Sequence, residues 1–325
     1  MNLHFVKATK IFMQTMPFVL LRMAVGILMG LLAIAFLGAV LLVMYFIGDS
    51  ASGVIVLIAL VIGIVAFAGI MRLARRYLLY MVTAGHIAVI AHIVDTGEAP
   101  DGQISYGMGK VKDNFASATA LFAVDQVVKT VIKQFNSAVA SFSSFVGFVP
   151  ALKNIVEILR RAIAMAASYI DEAILAYIFL HEDQNNWRAA RDGVVLYAKS
   201  WKPVLTATII IVLALYAVSF VGILVLLPVA GVLGNLSPTL EIMGWAIVAG
   251  IGLTGYLGFL RPWVKTVVIT TFLIESRDLS PDSETMDWVE SKSSRFSELM
   301  ERADSEEGDV DSPDPSREPG PKPSA

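Results

Sequence analysis

The chain contains no cysteine, so a disulfide framework and thiolate chemistry are both excluded, and the redox compartment cannot be inferred. Four histidines without a cysteine offer no obvious metal set, and His86 and His92 are spaced to fall on different faces of a helix. Charge is scarce as well: 16% of the 325 residues are charged, against 56% hydrophobic, with a mean hydropathy of +0.68. A water-soluble domain uses about 25% charged residues to cover its surface. The shortage therefore argues against two soluble domains, which length alone would suggest. A net charge of −3 gives no footing for nucleic acid. The one string resembling a phosphate loop, YGMGK at 106–110, lacks the full spacing and the Ser/Thr after its lysine. No cofactor motif is present, and no nucleophile–base pair is legible, so an enzyme is not expected.

What the chain has in abundance is long apolar text. A spanning helix needs about 20 mostly apolar residues. Residues 23–47, 54–71, 203–240 and 242–260 are free of charge apart from Glu241 between the last two. The 203–240 stretch is interrupted by Pro228, Gly231, Gly234 and Pro238, which reads as one helix followed by a turn. Two further segments, 116–132 and 162–180, are apolar in bulk but carry Asp125, Lys129, Asp171 and Glu172. Counting both as membrane-embedded gives an all-α, polytopic helical membrane protein with about six transmembrane helices.

Lysine and arginine placement sets the expected orientation. The loops at 48–53 and 229–243 have none, while Lys7, Lys10, Arg22, Arg72, Arg75, Arg76, Lys110, Lys202, Arg261 and Lys265 gather on the other side. Both termini are accordingly expected in the cytoplasm of a cell (inner or plasma) membrane. The N-terminal apolar run is too long for a signal-peptide h-region and reads as a retained helix.

The chain also reads as one unit written three times, over 1–99, 100–184 and 185–280. Each unit opens with an amphipathic elbow (QTMPFVL, GKVKDNFASA, KSWKPVL). Each closes with an apolar helix ending in an acidic turn (GHIAVIAHIVDTGE, DEAILAYIFLHED, KTVVITTFLIESRD). The second helix of the first unit, 54–94, is too long for a bilayer core of about 30 Å. It must continue beyond the membrane or break near Arg72–Arg76; in the third unit Pro262 supplies a break. The elbow 187–199 suits an interfacial helix, with Trp187, Val194, Tyr197 and Trp201 toward one side and Arg188, Arg191 and Asp192 on the other. After this 1–280 transmembrane domain, Ser280-Pro281 suits a helix start, and 281–303 a short cytoplasmic amphipathic helix. Residues 304–325 are acidic and rich in Ser, Pro and Gly, and read as a disordered tail.

From about 160 to 282 the text SYIDEAILAYIFLHEDQNNWRAARDGVVLYAKSWKPVL and GYLGFLRPWVKTVVITTFLIESRDLSPD resembles, in layout, the C-terminal part of choline transporter-like membrane proteins. The shared order is helix, amphipathic elbow, helix, outer loop, and a helix ending in an acidic turn before a short C-terminal helix. The resemblance implies a helical transport protein and carries over no individual residue.

Charges at membrane depth cost about 2.5–3.5 kcal/mol each on insertion scales, which makes them functional candidates. Asp125, Lys129 and Lys133 recur at one helix face. Glu157 precedes Arg160 and Arg161, and Asp171 and Glu172 follow one helix later. Opposite signs on neighbouring helices could line a wet path for an unknown small solute. They could equally neutralise one another structurally, with Lys133 and Glu157 snorkelling to the interface. Phe122, Phe135, Tyr169 and Tyr177 lie nearby in sequence, as a choline-like cation would require. Small-residue spacings at Gly26/Gly30 and Gly250/Thr254/Gly258 suit internal helix packing or a homo-oligomer. The function expected is a transporter- or channel-like protein working through the charged middle helices; the alternative is a non-transporting scaffold or regulator acting through its cytoplasmic tail.

Overall fold

A computed structural model describes residues 4–47, 53–114, 118–139, 169–235 and 237–310. Its regular elements are helices throughout the described residues. They are α1 (Phe5–Gln14), α2 (Met16–Ile47), α3 (Gly53–Thr96), α4 (Gln103–Asn114), α5 (Ala118–Val139), α6 (169–180), α7 (Asn186–Lys199), α8 (Trp201–Gly234), α9 (Pro238–Gly255), α10 (Arg261–Glu275), α11 (Ser283–Lys292) and α12 (Phe296–Val310).

These helices sort into two regions by what their apolar side chains face. On α2, the first half of α3, α8 and α9, large apolar residues such as Leu31, Ile62, Val225 and Ile251 are exposed along the helix length. Contiguous apolar exposure of this extent is stable only against lipid. Four helices among the described residues are long and apolar enough to cross a membrane, and the chain is a multi-pass membrane protein. Phe36 of α2 stacks on Phe67 of α3 with ring centroids 3.9 Å apart, and α8 packs along α9.

The remaining helices form a lobe with a conventional core. Val89, Ile90 and Val94 of α3, Val131 and Phe135 of α5, Ile170 and Ile174 of α6, Val195 and Tyr197 of α7, Val267 and Phe272 of α10, Val289 of α11 and Leu299 of α12 are all buried together. α1 packs on α10 and α12 on α7, so both described ends belong to this lobe.

Against the six expected spans, the described residues hold four, or five if α4 and α5, bent by 83° at their junction, count as one. α5 itself has the faces of a water-bathed helix. It buries Leu121, Val124, Val128, Ile132 and Phe135 and exposes Gln126, Lys129, Lys133 and Ser137. Its apolar stripe meets α7 and α11, not hydrocarbon: Phe135 lies edge-on to Trp288 at 4.9 Å. Of the 162–180 segment, only 169–180 falls among the described residues, and its first eleven residues are buried or nearly so within the lobe.

One local alternative is decided and two expectations are corrected. First, of the two courses open to α3, it takes the continuous one, running past Arg72–Arg76 as one 44-residue helix from the lipid region into the lobe. It stops at Gly97, whose φ of 86° lets its N–H reach back to Ile93 O at 2.9 Å. Second, Pro262 does not break the third unit. The turn before it, Tyr256–Leu260, widens to a π-helix, and the chain stays helical on both sides. A proline lacks a donor and crowds the carbonyl four residues earlier, here Gly258, and a single π turn relieves both problems. Third, α7 is not an interfacial anchor. Trp187, Ala189, Ala190, Asp192, Gly193 and Tyr197 are all buried, because small residues on its second face admit neighbours there too. Gly193 brings Ile174 and Tyr177 of α6 against the backbone.

The C-terminal helix also begins and ends elsewhere. Asp282, not Ser280, caps α11, accepting from Thr285 N at 2.7 Å. Helix continues through α12 to Val310, seven residues into the stretch expected to be disordered. The small-residue seams do not form within the chain as expected. Gly26 and Gly250 have no atom of another helix within 4 Å, and Gly258 only touches Met23. The close crossings use Gly85 with Gly107, where a methyl on Gly107 would sit 2.4 Å from Gly85 O, and Gly244 against Ala230.

Candidate functional site

The charges singled out in the sequence converge where the apolar belt meets the lobe. Four helices each contribute one face. On α3, Arg72, Leu79, Tyr80, Thr83 and Ile87 recur at helical spacing; on α5, Phe122, Asp125, Gln126 and Lys129 do the same. α6 supplies Asp171, Glu172 and Leu175, and α10 supplies Arg261 and Lys265 one turn apart. Together they enclose a cavity of about 670 Å³, which is the size of an ordinary small-ligand site.

Two ion pairs cross the cavity walls. Lys129 Nζ lies 3.3 Å from Asp171 Oδ2, joining α5 to α6, and Lys265 of α10 is hydrogen-bonded to Glu172 of α6. The Asp171 carboxylate is almost fully enclosed, and its other oxygen accepts from Glu172 N at 3.0 Å. Glu172 Oε2 is buried and has no hydrogen-bond partner among the described residues. Tyr80 donates to Leu121 O at 3.4 Å and meets Phe122 edge-on at 5.8 Å. Arg22, on α2 and partly buried, lies within electrostatic reach of Glu172 and Arg261.

Of the predicted site residues, Asp125, Lys129, Asp171 and Glu172 are brought together here. Lys133 lies one turn beyond Lys129, is exposed, and does not line the cavity. Glu157, Arg160 and Arg161 lie outside the described residues. Of the four aromatics, Phe122 lines the cavity. Phe135 packs on Tyr197 and Trp288 in the lobe, Tyr169 is buried with its hydroxyl within reach of Arg261, and Tyr177 borders a separate cavity of about 210 Å³ beside His181 and Arg277.

The charged middle helices do not line the hollow alone: α3 and α10 add Tyr80, Arg72, Arg261 and Lys265. The signal available was Lys265 itself, a lysine four residues after an arginine and followed by an uninterrupted TVVITTFLI run.

Farther along the lobe the charged contacts are of the ordinary surface kind. Glu182 accepts from Lys110 at 2.6 Å and from Asn114 at 3.1 Å. Partial burial works against its ionised form, yet these two donors together hold its carboxyl below the usual glutamate value. Lys199 and the Thr285 backbone N–H hold Asp282 down to about 2. Arg302 covers the Trp187 ring at 4.6 Å, fastening α12 to α7. Among the described residues no group of three His, Asp or Glu side chains is arranged to hold a metal ion. Comparison of the chain with protein-family models, with curated proteins and with solved structures gives no match.

Proposed function

We propose that the protein is a transporter- or channel-like membrane protein for a small polar solute, with the charged cavity as its binding chamber. The observation carrying this reading is the convergence of seven charged side chains from four helices on one hollow at the edge of the lipid-facing belt. Charges that served packing alone would fill that space; here they line it. The basic ring of Arg22, Arg72 and Arg261 beside the lobe supports a cytoplasmic lobe and cytoplasmic termini. The sequence repeat is part of the same proposal, supported by a short helix preceding a longer one at α1–α2, α4–α5 and α7–α8.

A choline-like substrate draws its support from the layout of 160–282 alone. The cavity's four cationic side chains against three carboxylates favour a solute that carries negative charge. Flux assays in liposomes, run on a panel of phosphate, acetate and choline, test the reading. Asp125→Asn or Lys129→Gln should lower the flux of whichever solute the wild type moves by tenfold or more; equal flux in all three proteins removes the cavity from the path.

The scaffold reading needs a different truncation from the one the sequence suggests. Phe296 and Leu299 are fully buried and Trp288 packs on Phe135, so removing 282–325 would unfold the lobe. Truncation after Val310 leaves that packing intact. Loss of a cellular phenotype on that truncation, with flux unchanged, would favour the scaffold.

A further inference from the structure

The cavity's charges do not balance, and the imbalance has a direction. Lys129 is matched by Asp171 and Lys265 by Glu172. What remains is Arg72 and Arg261 against Asp125, with Arg22 close behind Arg261. None of the three arginines forms an ion pair among the described residues. They come from three helices, α2, α3 and α10, each at the level where the lipid-facing belt gives way to the lobe. Arg22 and Arg261 are partly buried and within electrostatic reach of each other, where unpaired guanidiniums cost free energy and repel, while Arg72 stands exposed on the wall of the same hollow.

The surroundings of this cluster are apolar on one side only. Ile70 and Leu73, on either side of Arg72, are 67% and 70% exposed, and Leu257 and Phe259 precede Arg261 in the same way. The hollow therefore has a charged interior and a lipid-facing rim. A ligand with an anionic head and an apolar body satisfies both. Guanidinium groups bind phosphate through paired N–H donors, and basic pockets at the membrane edge of helix bundles take anionic headgroups in the same way.

We propose that this cavity binds a phosphate monoester or diester through Arg72 and Arg261, with Arg22 adding charge behind them. The geometry favours a phospholipid headgroup that enters sideways from the bilayer, since the rim is apolar; a soluble phosphate ester has the same head and is distinguished by experiment. The proposal names the ligand class of the chamber put forward above, and it requires that the chamber bind a ligand, not that it transport one.

The test uses the full chain in a neutral detergent, with binding read by native mass spectrometry and by thermal melting. The probes are dioleoyl phosphatidic acid, dioleoyl phosphatidylglycerol, dioleoyl phosphatidylcholine and sn-glycerol 3-phosphate. Phosphatidic acid and phosphatidylglycerol should be retained and raise the melting temperature, while phosphatidylcholine, whose own ammonium meets the arginines, should bind at least tenfold more weakly. Arg72→Gln/Arg261→Gln should lose tenfold or more in affinity for the anionic lipids. Lys133→Gln, on the exposed face of α5, should leave that affinity unchanged. Should the double glutamine variant fail to fold, Arg72→Lys/Arg261→Lys keeps the charge, loses the paired donors, and should still weaken binding severalfold. Equal retention of all three lipids, or full affinity in the arginine variants, overturns the proposal. Glycerol 3-phosphate binding as tightly as phosphatidic acid would overturn sideways entry. Selective lipid binding without flux of any tested solute would sink the transport reading and leave this one standing.

Discussion

The Lys265–Glu172 pair offers the sharpest test of the site's architecture. Lys265 is 9% exposed and Glu172 16%. Removing one member of a buried pair strands the other charge and costs about 3–5 kcal/mol, whereas replacing both with apolar groups of similar volume is often neutral. Each member also has neighbours of both signs: Glu172 lies within electrostatic reach of Arg22, Lys129, Asp125 and Asp171, and Lys265 within reach of Arg22, Arg261, Asp125 and Asp171. Glu172→Leu and Lys265→Met should therefore each destabilise, and the double variant should recover most of the loss. On a chain of this size the larger single effect corresponds to a fall in melting temperature on the order of 10 °C. Thermal unfolding of the four proteins of this double-mutant cycle, followed by loss of far-ultraviolet helical signal in detergent, measures it. Additive losses would show that the two residues do not act as a pair. A harmless Glu172→Leu or Lys265→Met would mean that water reaches the charge left behind and that α10 is not sealed against α6.

Glycine positions give a contrasting pair: Gly107→Ala should cost several kcal/mol in melting experiments or abolish folding, because the added methyl meets Gly85 O, whereas Gly250→Ala should stabilise by about 0.5–1 kcal/mol, since only helix propensity changes there. Tyr197→Phe removes a 2.6 Å hydrogen bond to Asn136 Oδ1 inside the lobe and should cost about 1–3 kcal/mol, because Asn136 Nδ2 already lacks a partner. For Asp282 the folded value is held near 2, below the usual aspartate value, so the stabilisation is complete above that usual value and fades as pH falls from about 4 toward 2. Asp282→Asn should keep the cap but remove this dependence, so melting curves of the two proteins should differ at pH 6 and converge toward pH 2.

The lipid-facing helices were legible because hydrocarbon imposes a length and forbids charge, and residues 23–47 and 203–233 obey both. The lobe was not legible, because α5, α6 and α7 are helices of intermediate polarity, and periodicity alone does not say whether lipid or protein meets the apolar stripe. Phe135 was visible as apolar, but its partners Tyr197 and Trp288 lie far along the chain, Trp288 on the stretch expected to be a short cytoplasmic amphipathic helix. Asp125 and Lys129 were recognisable as neighbours by helical spacing; their meeting with Lys265 depends on the packing of α10. Pro262 misled because a proline in helical text ordinarily ends the helix, and the π turn that accommodates it leaves no mark of its own in YLGFL.

At 1.5 Å per residue the 44 residues of α3 make a rod of about 66 Å, anchored in lipid at one end and in the lobe at the other. Arg72 and Tyr80 sit near its middle, on the wall of the chamber. Tilting such a rod by about a tenth of a radian carries its far end some 6 Å, slightly more than one helical pitch. No hinge separates the half of this helix that faces lipid from the half that enters the lobe, and the wall of the hollow lies on the unbroken stretch between them.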